Sequence, residues 1–396
     1  MKTAAQKAAA LDPCAGDRLP YAGHLDDHTV MTRSGDLIQM IQVDGVAFET
    51  ADSETLNHMA AVRDVVMRGI ANSNLMLYCH VIRRQVTAEL SGAQPEGFVR
   101  DLDDAWQQQL RGRRLYINDI VLMLVRRPAQ GKIGFFDRFT KWGNGTRNSA
   151  ERLADQAREL RELEAARTNL LSSLMRYGPR LLGRYRGAGG VCSEPLEILS
   201  AMYNGEMQPV LEPTGDAGHY LPYKRISFGL DALELKGASA NTSRFGAIVS
   251  IKDYPAYTAP GMLDNLLRLP HELTMTESFA FIDRQIADER IGLALRRLRA
   301  ASDETTTLRQ GLLGAKDDLT GGAAAYGEHH LTVHVRAMTL ASLDAAVADV
   351  QASLADIGAV AVREDLNLES AFWGQFPGNA GYIARKALVS TANLSG

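Results

Sequence analysis

The chain has 396 residues, 45% of them hydrophobic and 23% charged, with 35 Gly and 13 Pro, a composition that excludes disordered, collagen-like and coiled-coil proteins. Its 43 basic and 47 acidic side chains leave a formal net charge of −4, so the whole chain is not a polycation built to coat nucleic acid. At roughly 150 residues per domain, the length allows two or three domains.

Residues 1–18 read as a flexible N-terminus, without the apolar core of a secretory signal. Thr29 to Thr32 and Leu37 to Val43 are β-rich runs on either side of Ser34-Gly35-Asp36, which predicts a hairpin. From Ser53 to Ile70 the residues Leu56, Met59, Ala60, Val62, Val66 and Ile70 recur at spacings of three and four, predicting a helix with Ser53 as its N-cap. Leu75 to Val81 reads as a buried strand, Phe98 to Leu110 as a helix and Leu115 to Val125 as a strand. Residues 19–130 therefore form an N-terminal ββαβαβ domain.

The next segment, 131–190, is basic and aromatic at its start and helical afterwards. Residues 111–190 hold 17 Arg or Lys against 7 Asp or Glu, a local balance of +10. Phe135, Phe136, Phe139 and Trp142 fall on one side of a short helix, flanked by Lys132, Arg138 and Lys141. Such a segment lies in a lipid interface, docks on a partner, or straps the first domain; the residues leave all three open. Asn148 and Glu151 have capping-box spacing, and the apolar pattern after them predicts one helix over 149–177, stopped by Gly178-Pro179. Gly187-Ala-Gly189-Gly190 reads as a linker, since it follows a basic helix where a nucleotide cradle would follow a strand.

Residues 191–370 form a second domain in the same alternation. Strands are predicted at Arg244–Ile251, Glu272–Thr276, His329–Val335 and Ala359–Val362, and helices at Gly261–Leu269, Phe279–Arg299, Asp303–Leu319 and Leu340–Ile357. The fold class is thus α+β: two mixed sheet-and-helix domains, the second an elaborated ferredoxin-like one, joined by a basic helical segment.

Little of this carries chemistry. Gly131-Lys132 lacks the leading glycine of a phosphate loop, and Gly311-Leu-Leu-Gly314-Ala-Lys316 has the wrong spacing, so no Walker A loop is present. Glu328, His329, His330 and His334 would tempt zinc, but their alternation with Leu331, Val333 and Val335 fits a half-covered strand better. Cys14, Cys79 and Cys192 form no CxxC pair, leave one thiol over under any single bridge, and point to a reducing compartment. The longest apolar run, Ile120 to Val125, is far short of the roughly 20 residues of a membrane span.

Several longer words do carry information: Tyr203-Asn-Gly-Glu206, Tyr220-Leu-Pro-Tyr-Lys-Arg-Ile-Ser-Phe-Gly229, Ile251-Lys-Asp-Tyr-Pro255, Pro260-Gly-Met-Leu-Asp264, Glu277-Ser-Phe-Ala-Phe-Ile-Asp-Arg-Gln285, Gly327-Glu-His-His-Leu331, Val362-Arg-Glu-Asp-Leu366 and Phe372-Trp-Gly-Gln-Phe-Pro-Gly-Asn379. In this order they resemble the central domain of the CagE/TrbE/VirB family of type IV secretion ATPases, and Leu19-Pro-Tyr21, Gly35-Asp36 and Asp44-Gly-Val-Ala-Phe-Glu-Thr50 resemble its opening hairpin. The resemblance implies that a RecA-like motor, absent here, follows a connection at 371–396, and that ATP and magnesium belong to the full-length family member while this chain holds no cofactor. It implies a non-motor docking and assembly portion on the cytoplasmic face of the bacterial inner membrane. Partners would be other inner-membrane secretion components, neighbouring ATPase subunits and a membrane surface; direct nucleic-acid binding is disfavoured by the acidic residues within the basic segment. The alternative is a competent ATPase with an unrecognised site. Phe372, Trp373, Phe376, Pro377, Gly378 and Asn379 are the candidate motor-coupling element, expected to pack against the second domain.

Overall fold

The computed structural model describes residues 14–46, 51–87, 96–128, 149–239, 242–255, 257–300 and 306–396. The aromatic segment at 132–142 and the Asn148 cap lie outside the described residues.

The first half opens with a meander of β1 (Tyr21–His24), β2 (Thr29–Thr32) and β3 (Leu37–Val43), which turns at Gly35 with φ +92°. Helix α1 (Ser53–Gly69) is capped by Asp52, whose carboxylate accepts from the Thr55 amide; the expected cap, Ser53, is already inside the first turn. Then come β4 (Leu75–Val86), α2 (Phe98–Arg111), β5 (Leu115–Arg126) and α3 (Ser149–Ser173), which leads to a two-residue β6 (Arg180–Leu181). Arg126 of β5, 3% exposed, is held to α3 by Glu159 and Glu162, each at 2.5 Å. Because β6 pairs with Ile41 and Gln42, the strands lie in the order β6, β3, β5, β4.

A hairpin of β7 (Arg184–Gly187) and β8 (Gly190–Ser193) and a buried helix α4 (Glu194–Asn204) separate the halves. The second half then retraces the first. β9 (Arg225–Phe228) and β10 (Leu233–Lys236) lead into β11 (Arg244–Asp253), which is followed by β12 (Glu272–Phe281), α5 (Arg284–Ala300), α6 (Thr306–Gly321), β13 (Tyr326–Ala337), α7 (Leu340–Asp356) and β14 (Val360–Arg363). Here the order is β14, β11, β13, β12. Each half is therefore a ferredoxin-like layer with a helical insertion in its central hairpin: α2 in the first, the α5–α6 pair in the second.

The two layers join edge to edge. β4 and β12 pair antiparallel from Met76↔Ala280 to Arg83↔Leu273, closing both free edges within one thirteen-stranded sheet. Since side chains alternate across a sheet, each face has its own packing. On one face α1 and α3 cover Leu37, Ile41, Leu75, Leu77 and Leu124, while α7 separately covers Leu273, Met275, Leu331, Val333 and Val335. The opposite face gathers Ile38, Met40, Tyr78, Ile82 and Met123 of the first half with Leu233, Ile248 and Ala280 of the second into one core.

Four local expectations are corrected. Gly261–Leu269 is turns and one 3₁₀ turn at Leu266–Arg268. Phe279 does not start a helix: β12 continues to Phe281, and the two rings pack edge to face at 5.0 Å in the core that α1 and α3 share. The helix expected to reach 177 ends at Ser173, with a 3₁₀ turn over Met175–Tyr177. The glycine-rich 187–190 stretch is the tip of the β7–β8 hairpin, Gly187 facing Gly190.

Candidate functional site

After β14 the chain enters α8 (Leu368–Gly374), a seven-residue helix carried on the shared-core face. Phe372, Trp373 and Phe376 are 0%, 2% and 1% exposed. Their ring partners come from three directions. Phe372 meets Tyr203 of α4 at 6.0 Å, Phe228 of β9 at 5.6 Å and the His334 imidazole of β13 at 5.5 Å. Trp373 stacks on Tyr203 at 6.1 Å and donates from its indole to Glu369 at 3.3 Å. The same cluster includes Tyr21, Met40 and Tyr78 of the first half, so these aromatics are packed by both halves and not by the second alone.

Hydrogen bonds repeat the pattern. His80 of β4 donates from Nε2 to the Gln375 carbonyl at 2.9 Å, which fixes the proton on Nε2, and stacks on Tyr78. Burial lowers the His80 pKa to about 4, so the ring is neutral. The Asn379 amide donates to the Trp373 carbonyl at 3.1 Å and to the Arg18 carbonyl at 2.9 Å, tying the turn to the chain just before β1. Gly378 has φ +93°, and a Cβ there would stand 3.0 Å from both Pro20 and Thr32, so glycine is required twice over. Pro377, just before it, is buried. Farther on, β15 (Ala387–Ser390) pairs with β13, and a single turn α9 (Thr391–Leu394) packs on α1.

The sequence motifs become a physical scaffold around this element. Asn204, 0% exposed, satisfies its whole amide: Nδ2 donates to Ser200 and Leu221 carbonyls, and Oδ1 accepts from the amides of Tyr223 and Lys224. Gly205 ends α4 at φ +79°, and Glu206 meets the nearly buried Lys224 at 2.7 Å. In this way the Tyr203–Glu206 and Tyr220–Gly229 words are clamped together. Tyr254 bonds His329 Nδ1 at 2.9 Å, joining two of the later words, and Glu364 of a third pairs with Arg385 at 3.0 Å. His80 and Asn204 were not singled out by sequence; for Asn204 the motif itself was the available signal, for His80 there was none.

No phosphate cradle forms at the candidate glycine runs that are described. Gly311 to Lys316 lies inside α6, where amides are spent on the helix, and Lys316 pairs with Asp288 at 3.4 Å. Neither described glycine run therefore offers the backbone cradle that nucleotide phosphates need. His330 and His334 share the shared-core face of β13 and His329 the other, and among the described residues no group of three or more His, Cys, Asp or Glu is placed to hold a metal. Nor, among them, is any helix long and apolar enough to cross a membrane.

Comparison with known proteins places these features in a family. Residues 180–385 match the model of the CagE, TrbE, VirB family, component of type IV transporter system, and residues 28–133 match that of the type IV secretion system ATPase VirB4/TrbE, N-terminal domain. The chain is similar to type IV secretion system protein virB4 of Bartonella henselae, at 31% identity over 96% of this chain and 48% of that protein. It is 32% identical to protein virB4 of Agrobacterium tumefaciens over 96% of this chain and 47% of that protein. With type IV secretion system protein PtlC of Bordetella pertussis it shares 28% identity over 96% of this chain and 46% of that protein. The chain thus spans about half the length of the curated relatives it matches.

Proposed function

Because the chain belongs to the CagE/TrbE/VirB family of type IV transporter components, we propose that it is the non-motor docking and transmission portion of a type IV secretion ATPase, attached peripherally to the cytoplasmic face of the inner membrane. Hydrolysis of ATP with magnesium belongs, on this reading, to the remainder of a longer subunit, and assembly with neighbouring subunits and inner-membrane components belongs to this portion. The observation that carries the reading is the α8 element. Phe372, Trp373 and Phe376 are wedged where both layers meet, so a displacement of the segment after β14 reaches both layers through close-packed side chains.

The test is made in the full-length subunit. Trp373→Phe, which keeps an aromatic but loses area and the Glu369 bond, should leave ATP hydrolysis within about twofold of wild type and reduce substrate transfer at least tenfold. Equal losses of hydrolysis and transfer would count against transmission. The aromatic segment is the proposed attachment point: with Phe135, Phe136 and Phe139 all changed to Ser, loss of membrane-fraction recovery in a folded protein supports it, and unchanged recovery makes the segment a strap.

A further inference from the structure

Helix α2 is turned the wrong way round. Its spacing is strongly amphipathic, with Phe98, Val99, Leu102, Ala105, Trp106 and Leu110 sharing an arc of roughly 140°, interrupted only by Gln109. Yet Phe98 is 79% exposed, Leu102 59%, Trp106 55% and Val99 50%, and no residue of the helix is buried. The stripe least open to water is Asp103, Gln107 and Leu110, so the helix rests on a mainly polar side and shows its apolar side to solvent. Contiguous apolar exposure of this kind marks an interaction site.

Its position suits that use. β12 stops pairing with β4 at Arg83, and beyond it Arg84 to Val86 pair only with Leu115 to Ile117, so a two-stranded tip projects past the sheet and carries α2 away from all three main cores. A docked partner there would disturb neither layer.

Charge selects the partner. The half-covered Asp103, which accepts from Gln107 at 2.7 Å and keeps one oxygen for a partner, borders the apolar arc on one side and the exposed Asp101 on the other, with Asp104 behind Asp101; Arg100 and Arg111 sit on the back of the helix. A helix for an anionic lipid surface carries cations along these borders, and this one carries acids. Pairing with a second copy about a two-fold axis would set like borders against each other, Asp103 against Asp103. We propose that α2 is a docking helix for a cationic amphipathic helix of another protein, its apolar seam laid along Phe98, Leu102 and Trp106 and its lysines or arginines meeting Asp101 and Asp103. None of these residues belongs to the α8 element, so the docking helix and the transmission element can each fail without the other.

The test uses the whole chain and two labelled 18-residue peptides with the same leucine seam, one with lysine along both seam borders and one with glutamate there, followed by fluorescence anisotropy. The lysine peptide should bind at least tenfold more tightly than the glutamate peptide, and Leu102→Asp should weaken it at least tenfold. Asp101→Lys with Asp103→Lys should invert the preference. Every substituted side chain has a water-facing or half-exposed site, and Trp106→Ala supplies a second, uncharged loss of the seam. Binding equal for both peptides, or unchanged by Leu102→Asp and Trp106→Ala, overturns the proposal. So does sedimentation with phosphatidylcholine–phosphatidylglycerol vesicles, or concentration-dependent dimerisation, that those same two variants abolish.

Discussion

His80, His329, His330 and His334 point from the central strands into the protein, and burial sets their protonation more than any partner does. Their pKa values fall from 6.5 to about 4 for His80, about 3 for His329, about 4 for His330 and well below for His334. A histidine charged more easily in the unfolded chain than in the fold contributes stability that is complete above pH 6.5 and is lost as pH falls toward the folded value. Each therefore adds up to about 1.4 kcal/mol per pH unit between those limits. The urea midpoint should drop from pH 7 to pH 5, and His330→Gln should narrow that drop; an unchanged drop would show that His330 is charged or solvated in the fold. Glu277 works in the opposite sense. Desolvation raises its carboxyl from 4.5 to about 7, so the stability of its neutral form is complete below pH 4.5 and is lost as pH rises through 7. Glu277→Gln should accordingly stabilise the protein at pH 8 relative to wild type and do little at pH 4, measured by the same midpoints. That His330 and His334 share a strand face was legible from alternation. That water is shut out of that face was not, because the covering element lies some forty residues farther along the chain.

At the scale of elements, α8 shows what pattern reading can and cannot reach. Its aromatic motif was visible, and so was the turn at Gly378-Asn379, because Gly and Asn tolerate the backbone a sharp reversal needs. Its two-sided packing was not visible, since seven residues hold too few positions to define a stripe and the first-half partners are hundreds of residues away. The helix at Glu194–Asn204 escaped for a related reason: it is buried nearly all round, so it has no polar face to give a period. In α2 the period was right and the direction misleading, because a stripe tells which residues belong together and not what covers them. Three substitutions should report the grip on α8. Phe376→Ala removes a fully buried ring and should cost about 3–5 kcal/mol. Asn379→Ala takes the side-chain donor from the Arg18 carbonyl, while the Trp373 carbonyl keeps the Gln375 and Phe376 amides, and should cost about 1–3 kcal/mol. Gly378→Ala strains a positive φ and crowds Pro20 and Thr32, for a loss on the order of 1–3 kcal/mol. Chemical denaturation of the purified chain measures all three, and a neutral Gly378→Ala would mean that the turn relaxes freely.

For the whole molecule, the two layers can be compared strand by strand. β2, β3, β4, β5 and β6 correspond in order and pairing to β10, β11, β12, β13 and β14, with α1 replaced in the second layer by the turn region before β12, and α3 answered by α7. The alternation of strands and helices was readable in both halves, whereas the edge-to-edge joining was not: β4 and β12 are nearly two hundred residues apart, and each reads as an ordinary buried strand whether its neighbour is its own layer or the other. Two devices hold the layers together beside the exchange of Phe279, Phe281 and Val81 between the layer cores: the β4–β12 ladder on the backbone and the α8 core over it. If both act, the described layers unfold as one unit, and a denaturation curve followed by far-ultraviolet circular dichroism coincides with one followed by tryptophan fluorescence. Weakening the ladder alone should break that coincidence. Ser278 faces Tyr78 across the junction and His330 on its other side, so Ser278→Pro takes a donor from the middle of the joined sheet and should cost about 3 kcal/mol or more. The cores under α3 and α7 are distinct clusters that do not include that residue, although Phe279 and Phe281 of β12 enter the first and Val81 of β4 enters the second. The expected result is two resolved transitions in the variant where wild type shows one; a single transition, merely shifted to lower denaturant, would mean that the α8 core and the side chains exchanged across the junction suffice to make the layers one cooperative body.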